Sequence, residues 1–176
     1  MFYTRKGDDG TSGLFNFKDR FQKDSPIYDA LGSVDELNSL LGVLRARTSS
    51  VKTLSVSNEL FTIQNCLFIV QAELAGADKK LSKRNVEDLE TTIGRIEFYI
   101  ENPNSFIVPG ATVESALYDY ARSVARRAER AIISLKSQKE LSPETYAYIN
   151  RLSSFLYALA RLSTFESGKQ ESKPTY

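Results

Sequence analysis

The most informative absence in this sequence of 176 residues is histidine, which does not occur at all. Without histidine the chain lacks the commonest general base, the commonest metal ligand and the histidine-activated serine and cysteine nucleophiles. Cysteine is nearly absent as well, because Cys66 is the only one, which excludes a disulfide framework and a cysteine-based zinc site within one chain. An enzyme of this composition must rely on positioning, on fixed charge or on carboxylates.

An excess of one sign of charge is also missing. The chain has 23 basic and 22 acidic side chains, a net charge of +1, so it generates no overall field that would attract nucleic acid or an anionic membrane. No uninterrupted apolar run approaches the roughly 18 residues of a transmembrane helix, and the first residues do not resemble a secretory signal. We therefore expect no nucleic-acid partner, no membrane partner and a cytoplasmic location.

The spacing of the apolar residues predicts five amphipathic helices. The helices are expected to begin near five polar residues: Ser25, Ser57, Asn85, Thr112 and Ser142. The first helix is expected to end in the polar stretch 48–50, and the second, widened by Phe61 and Phe68, is expected to be central. No convincing strand pair is evident, and the one candidate strand is 13–15.

These elements predict an all-α, up-and-down five-helix bundle of the ferritin-like kind. We expect a single domain over 1–176. It divides into an ordered N-terminal glycine-rich loop (1–25), the helical bundle (26–165) and a polar tail (166–176) that is expected to fray.

The fourth predicted helix carries arginines four residues apart, at Arg122, Arg126 and Arg130, and this spacing places them on one face. Small alanines between them leave room for the guanidinium groups to converge, and planar guanidinium forks suit bidentate binding of phosphate. A solvated face on which Asp119 and Glu129 neutralise the arginines through weak exposed ion pairs fits the pattern as well. The residues alone leave both interpretations open.

The N-terminal segment contains a second candidate site, since Gly7, Gly10 and Gly13 interrupt a polar stretch. Glycines let backbone N–H groups approach a phosphate closely, and Arg5, Lys6, Thr11 and Ser12 add further donors. The spacing matches neither a Walker loop nor an EF-hand. An ordinary turn would also explain the glycines.

Several single residues are ambiguous by position alone. Asp35 and Glu36 have the position of surface acids on the first helix, and Asn150 stands beside an apolar stripe. Phe106 precedes a Pro-Gly turn, where a core residue at a helix junction is the default expectation. Cys66 lies near the stripe of the second helix and is expected to be a small buried apolar residue.

Four segments, in the right order, together resemble the PduO-type ATP:corrinoid adenosyltransferase family. They cover nearly the whole chain, and the last two are the specific ones: TRKGDDGTSGLF, ALGSVDELNSLLG, FIVPGATVESALYDYARSVARRAER and YINRLSSFLYALAR. The resemblance implies a five-helix bundle that forms a homotrimer with each active site between adjacent subunits. It implies transfer of the 5′-deoxyadenosyl group of ATP to reduced cob(I)alamin, giving adenosylcobalamin and triphosphate.

The resemblance also assigns roles to individual residues. It implies that the glycine loop wraps the ATP phosphates and that the arginine helix of a neighbouring subunit completes the site, with Mg²⁺ bound mainly through the phosphates. The implied ATP-binding residues are Thr4, Arg5, Lys6, Gly7, Asp8, Gly10, Thr11, Ser12, Lys23, Arg126, Arg127, Glu129, Arg130 and Asn150. The implied catalytic residues are Arg126, Arg122 and Asp35.

Asp35 and Arg122 match positions that form an intersubunit salt bridge in the family. Phe106 matches a cobalamin-binding residue that lies under the corrin ring and helps to exclude the lower axial ligand. Ala111 and Tyr118 depart from the family pattern, which usually has glycine and histidine there, and both are expected near the corrinoid. A cobalamin reductase and an adenosylcobalamin-dependent enzyme are candidate partners.

Two other classes of function remain in competition at this point. One is a non-enzymatic bundle that binds a nucleotide, polyphosphate or cobalamin as a sensor or carrier. The other is an interaction module whose arginine helix pairs with an acidic partner. Turnover separates the enzyme from the carrier, and stabilisation by ATP separates both from the interaction module.

Overall fold

Five α-helices make up most of the computed structural model, which describes residues 2–15, 17–47 and 54–176. The helices are α1 (Pro26–Arg47), α2 (Val56–Leu74), α3 (Lys83–Tyr99), α4 (Val113–Ser134) and α5 (Pro143–Glu166). The predicted helical bundle is therefore confirmed, with every helix beginning close to its expected position. The expected end of the first helix, at 48–50, lies outside the described residues.

Polar caps determine where two of the helices begin. Thr112 and Ser115 cap α4 reciprocally: the Thr112 hydroxyl accepts from the Ser115 amide at 2.9 Å, and the Ser115 hydroxyl accepts from the Thr112 amide at 3.0 Å. At the start of α5, the buried carboxylate of Glu73, from the end of α2, accepts from the Ser142 amide and from the Thr145 hydroxyl, both at 2.6 Å. Glu73 thus satisfies donors that a helix start leaves without partners.

The bundle is centred on α4, which packs against both α1 and α5, while α2 packs on α1 and α3 on α5. Ala121, Ala125 and Ala128 are fully buried in these contacts. The prediction that alanines give the arginines room was wrong, because their small side chains face inward, where they allow neighbouring helices to approach closely. None of the helices in the described ranges has the length and apolar character needed to cross a bilayer.

A short antiparallel hairpin precedes α1, formed by β1 (Thr11–Gly13) and β2 (Arg20–Gln22), with Ser12 opposite Phe21. The expectation of no strand pair was therefore wrong, and the candidate strand at 13–15 lay two residues too late. Strands of three residues in a glycine-rich segment are too short to show an alternating apolar pattern.

The aromatic side chains of α2 do not make that helix central. Leu60, Ile63 and Leu67 are buried as predicted, but Phe61 and Phe68 are exposed. The guanidinium carbon of Arg45 lies 4.9 Å from the centre of the Phe61 ring, a distance that suits a cation–π contact at the surface. Cys66, in contrast, is buried as expected.

The polar tail is held to the bundle at two residues and is not frayed there. The Val108 amide donates to the Ser172 carbonyl at 2.8 Å in an isolated antiparallel bridge. Glu171 Oε1 lies 3.1 Å from Arg161 Nε of α5. The tail therefore connects the loop between α3 and α4 with the last helix.

Candidate active site

One side chain, Arg20 of β2, holds the glycine loop together. Its guanidinium donates to the Thr11 hydroxyl at 2.7 Å, to the Thr11 carbonyl at 2.9 Å and to the Lys6 carbonyl at 2.6 Å. These contacts join both sides of the loop. Arg20 was not among the predicted site residues, because its role depends on the pairing of β2 with β1.

A second set of contacts fixes the turn of the loop. The Asp9 carboxylate accepts from the Thr11 hydroxyl at 2.7 Å and from the Thr11 amide at 2.9 Å. These donors, with the charge of Arg20, lower the pKa of the Asp9 carboxyl. Gly10 has a φ of +81°, a conformation that glycine adopts without steric cost.

Lys23 lies where the predicted phosphate-binding residues meet. Its ammonium donates to the Gly7 carbonyl at 2.7 Å, and a Cβ on Gly7 would lie only 3.0 Å from the Lys23 nitrogen. The hairpin and its loop thus bring together the N-terminal residues that the resemblance assigns to ATP: Thr4, Arg5, Lys6, Gly7, Asp8, Gly10, Thr11, Ser12 and Lys23.

The second half of the predicted site is a cavity of about 320 Å³ between α3, α4 and α5, called here the arginine cavity. Arg122 and Arg126 both line it, whereas Arg130 is exposed further along α4 and lies outside it. The remaining wall consists of apolar, acidic and hydroxyl-bearing side chains and a third arginine. These residues include Ile93, Ile96, Ile100, Glu97, Glu101, Ser153, Ser154, Tyr157 and Arg161.

Asp119 is shared between two arginines beside this cavity. Its Oδ2 accepts from Arg161 at 2.5 Å, and its Oδ1 lies 3.7 Å from Arg122 Nε. The side chains of Asp119 and Arg161 are only 6% and 5% exposed. The predicted neutralisation of Arg122 by Asp119 is confirmed, but the sequence analysis missed the buried Arg161.

Glu129 does not neutralise the arginines in the predicted way. It accepts a hydrogen bond from the Asn150 side chain at 2.8 Å, so the structure brings together two of the residues assigned to ATP. Neither Arg126 nor Arg130 forms an ion pair with any described residue. Arg126 is therefore a cation within the arginine cavity that has no carboxylate partner in the described chain.

Arg127 points to a different neighbour, because it pairs with Glu36 of α1. The hydrogen bond from Arg127 to Glu36 raises the pKa of the guanidinium. Asp35 is exposed beside Glu36 and forms no ion pair with the described residues. Within one chain, Asp35 and Arg122 are thus not joined.

Phe106 is presented to solvent, with 79% of its surface exposed. The default expectation of a core position was wrong. Its loop runs from Asn102 and Pro103, which line the arginine cavity, to Val108, which the tail anchors. An aromatic ring so exposed is available to a flat apolar ligand.

Tyr118 is not on this surface. It is 1% exposed and belongs to the hydrophobic core, and its expected place near the corrinoid stays a prediction. The tyrosine is accommodated by packing among helices. Ala111, by contrast, is half-buried in the turn that leads into α4.

The glycine loop and the arginine cavity lie in different parts of the chain's own surface. Lys23 shares the wall of another cavity, of about 490 Å³, with Ser134 at the end of α4, and Phe17 packs closely over Gly76 at the end of α2. Arg126 precedes Ser134 by two turns, about 12 Å along the helix, and faces α3 and α5. Within a single chain, the two halves of the predicted site therefore lie apart.

Comparison with known proteins identifies the family of this chain. The family model described as cobalamin adenosyltransferase matches residues 2–163. The chain is 36% identical to a corrinoid adenosyltransferase of Bacillus subtilis, over 94% of this chain and 88% of the relative. It is 37% identical to one of Citrobacter freundii, over 91% of this chain and 93% of the relative.

A solved structure gives the same relationship in three dimensions. A variant of the PduO-type ATP:corrinoid adenosyltransferase from Lactobacillus reuteri, complexed with cobalamin and ATP, superimposes with a TM-score of 0.91 at 30% identity. The alignment covers 100% of both chains. Its helices, its motifs and these matches together show that the chain belongs to the cobalamin adenosyltransferase family.

Proposed function

We propose that this protein transfers the 5′-deoxyadenosyl group of ATP to the cobalt of a reduced cob(I)alamin substrate, releasing triphosphate. The observation that carries the proposal is the combination of a cavity lined by arginines with an exposed aromatic ring on the adjoining loop. Arg122 and Arg126 line the cavity, and Phe106 follows the cavity-lining Pro103 by three residues. The first feature suits a polyphosphate and the second suits the face of a corrin.

The reaction fits a protein without histidine. Co(I) of the substrate supplies the electron pair that forms the cobalt–carbon bond, while the bond between C5′ and the triphosphate oxygen breaks and its electrons leave with the triphosphate. The attacking metal carries no proton, so no general base is needed. The protein has to align the two substrates and stabilise the negative charge that gathers on the leaving group.

Arg126 is best placed to provide that stabilisation. It lies in the arginine cavity and has no carboxylate partner among the described residues, so its charge is not already neutralised. Arg122 shares the cavity, and its Nε lacks a well-directed hydrogen bond within the described chain. Guanidinium forks in such a partly enclosed site hold phosphate oxygens through short charge-assisted hydrogen bonds.

Phe106 would act on the cobalt side of the reaction. An apolar ring can occupy the axial face of the corrinoid without donating electrons to the metal. Removal of an axial donor lowers the orbital that receives the incoming electron, so a four-coordinate Co(II) substrate is easier to reduce to Co(I). A cobalamin reductase would supply that electron, and an adenosylcobalamin-dependent enzyme would take up the product.

We further propose a homotrimer in which each site combines the glycine loop of one subunit with the arginine cavity of the next. The separation of these two features within one chain supports a shared site, as does Asp35, which is exposed and free to meet Arg122 of the partner subunit. Sedimentation of the purified protein should give the mass of a trimer. A monomer that retains full turnover would contradict the shared site.

Mg²⁺ would enter with ATP. No group of three or more carboxylate or thiol side chains among the described residues is arranged to hold a metal, and Mg²⁺ commonly binds through substrate phosphates with few protein ligands. The ion would offset part of the triphosphate charge. The protein side chains would then orient the Mg-ATP complex without coordinating the metal ion themselves.

The direct test is to supply ATP, Mg²⁺ and chemically reduced cobalamin and to follow cobalt–carbon bond formation by absorbance. Spectral conversion that depends on the protein and on ATP is expected. Binding of ATP without conversion would support the carrier, which family membership disfavours. Absence of any ATP-dependent thermal stabilisation would support the interaction module.

A further inference from the structure

Arg161 of α5 contacts two carboxylates and the face of an aromatic ring. One terminal nitrogen donates to Asp119 at 2.5 Å, Nε lies 3.1 Å from Glu171, and the guanidinium carbon lies 4.8 Å from the centre of the Tyr157 ring. The side chain is 5% exposed. Although Arg161 lines the arginine cavity, two carboxylates already neutralise its charge, so it is poorly suited to bind a triphosphate directly.

Asp119 lies between Arg161 and Arg122. While Oδ2 accepts from Arg161, Oδ1 faces Arg122 Nε at 3.7 Å. A carboxylate held firmly through one oxygen presents the other in a fixed direction. Arg122 is about one third exposed, and a flexible side chain of this kind is ordered by the charge it faces.

Glu171 of the tail also contacts Arg161, and the tail is anchored to the bundle at the residue next to Glu171. The next residue, Ser172, accepts from the Val108 amide at 2.8 Å, and Val108 lies two residues after Phe106. The side chain of Glu171 is 18% exposed and 3.1 Å from Arg161 Nε, without the alignment of a good hydrogen bond. Its contribution is therefore mainly the charge that it places against Arg161.

We propose that Arg161 is a positioning residue for Arg122, acting through Asp119, and that Glu171 of the tail keeps Arg161 in that position. The four side chains form a neutral chain of alternating charge: Glu171, Arg161, Asp119 and Arg122. The inference rests on the proposed function, in which Arg122 belongs to the site. It adds that two residues outside the glycine loop and α4 determine how Arg122 enters the cavity.

A merely structural role for the network makes different predictions. If the network only stabilised the fold, loss of Glu171 would lower the melting temperature and would affect activity in the same way whatever residue stood at 122. If it positions Arg122, the effect of losing Glu171 must depend on Arg122. A double-mutant cycle measures this dependence.

The experiment compares Glu171→Gln with the matched control Glu166→Gln, each made alone and together with Arg122→Lys. Glu166 is exposed at the end of α5 and forms no ion pair with the described residues. The value of kcat/KM for ATP is measured by cobalt–carbon bond formation, and the melting temperature is recorded for each protein. Arg161→Lys, which keeps the charge but loses the guanidinium fork, serves as a second variant.

We expect Glu171→Gln to lower kcat/KM for ATP by about three- to tenfold, the scale of one weakened charge-assisted contact. In the Arg122→Lys background the same substitution should change it by less than about twofold. Arg161→Lys should follow the same pattern. The control Glu166→Gln should have no effect in either background, and the melting temperatures of the two glutamine variants should agree.

Equal loss in both backgrounds, or no loss from Glu171→Gln, would overturn the positioning role. Failure of the proposed function looks different, since the unsubstituted protein itself would form no adenosylcobalamin. In that case the four proteins of the double-mutant cycle are compared by calorimetric titration with Mg-ATP. These are the unsubstituted protein, Glu171→Gln, Arg122→Lys and the double variant. A Glu171 effect on the Kd that disappears with Arg122→Lys would still support the network, and an additive effect would refute it.

Discussion

Arg127 of α4 donates a hydrogen bond to the carboxylate of Glu36 on α1 of the same chain. Both side chains are about half exposed, and ion pairs in such positions contribute about 0–1 kcal/mol to stability. Although it is assigned to ATP by resemblance, Arg127 thus has an alternative partner that Arg126 lacks. A triphosphate could recruit Arg127 only by displacing Glu36.

Arg127→Ala should therefore impair turnover less than Arg126→Ala does. The gain from contacting the triphosphate, about 1.5–3 kcal/mol for one charge-assisted contact, is offset by the loss of the Glu36 contact, about 0–1 kcal/mol. We therefore expect a rise in the KM for ATP of about tenfold, which corresponds to about 1.4 kcal/mol. Steady-state kinetics of the two variants provide the comparison. A larger loss of turnover for Arg127→Ala than for Arg126→Ala would show that Glu36 does not compete with the triphosphate for Arg127.

Arg126→Ala should lose turnover while its helical content remains native. Removal of the cation without a carboxylate partner leaves the developing triphosphate charge unbalanced, and loss of one such group typically costs about 10²–10³ in kcat. Cobalt–carbon bond formation and far-ultraviolet circular dichroism are the two readouts. Arg84→Ala, in an exposed ion pair on α3, is the matched control and should be fully active. Activity of Arg126→Ala near that of Arg84→Ala would rule out the clamp role.

Arg20→Ala should loosen the glycine loop without unfolding the bundle. Three hydrogen bonds to the Lys6 and Thr11 region would be lost, whereas the core of the helices lies elsewhere. We expect a raised KM for ATP, a larger loss than in Arg20→Lys, and a change in the free energy of unfolding below about 1 kcal/mol, as for most surface positions. Protease cleavage within the loop, faster in Arg20→Ala than in the unsubstituted protein, would report its mobility directly. Unchanged KM and unchanged cleavage would mean that the loop does not depend on Arg20.

Phe106→Ala should still bind ATP but should perform poorly when Co(II) must first be reduced. The ring that we propose to keep the axial face free of donors would be missing, whereas the arginine cavity proposed to bind the triphosphate would be intact. Rates with Co(II) plus a reductant and rates with pre-reduced Co(I) are compared. Phe98→Ala removes another highly exposed ring, on α3, and should behave normally in both assays. Equal rates from the two cobalt states in Phe106→Ala would contradict the axial role.

Glu73→Gln should destabilise the fold by about 1–3 kcal/mol. The substitution removes the charge and one acceptor oxygen from a buried carboxylate that accepts from the Ser142 amide and hydroxyl and from Thr145. Urea unfolding gives the free energy. Glu140→Gln, an exposed position in the same connection, should be neutral. A difference below about 0.5 kcal/mol between the two variants would mean that a neutral amide satisfies these donors as well as the carboxylate does.

The sequence predicted the helices well because each has a long apolar stripe and a clear start, as at Pro26 and Pro143. It failed for the β1–β2 hairpin, whose strands are too short for a periodic pattern. Tyr118 is a different case. The resemblance places it near the corrinoid, whereas the helical spacing alone places it among the buried residues Ala121 and Ala125, in agreement with its burial in the structure.

The site was predictable in its residue types and less so in its connections. Arg122 and Arg126 do share a cavity, in agreement with their spacing of four. Arg161 was not detected, because nothing in the local sequence reveals that an arginine on an apolar helix face meets Asp119, 42 positions earlier. Contacts between elements distant in sequence arise from packing, which periodicity does not encode.

The separation of the glycine loop from the arginine cavity has a genetic consequence if each site is built from two subunits. A chain with a damaged arginine cavity would disable the site that it shares with an intact loop of its neighbour. In a cell that makes both normal and damaged chains, mixed trimers would form, and each damaged cavity would remove one site of the three, so activity would fall in proportion to the share of damaged chains. Conversely, a chain damaged in the loop and a chain damaged at Arg126 could restore one intact site between them, as in allelic complementation.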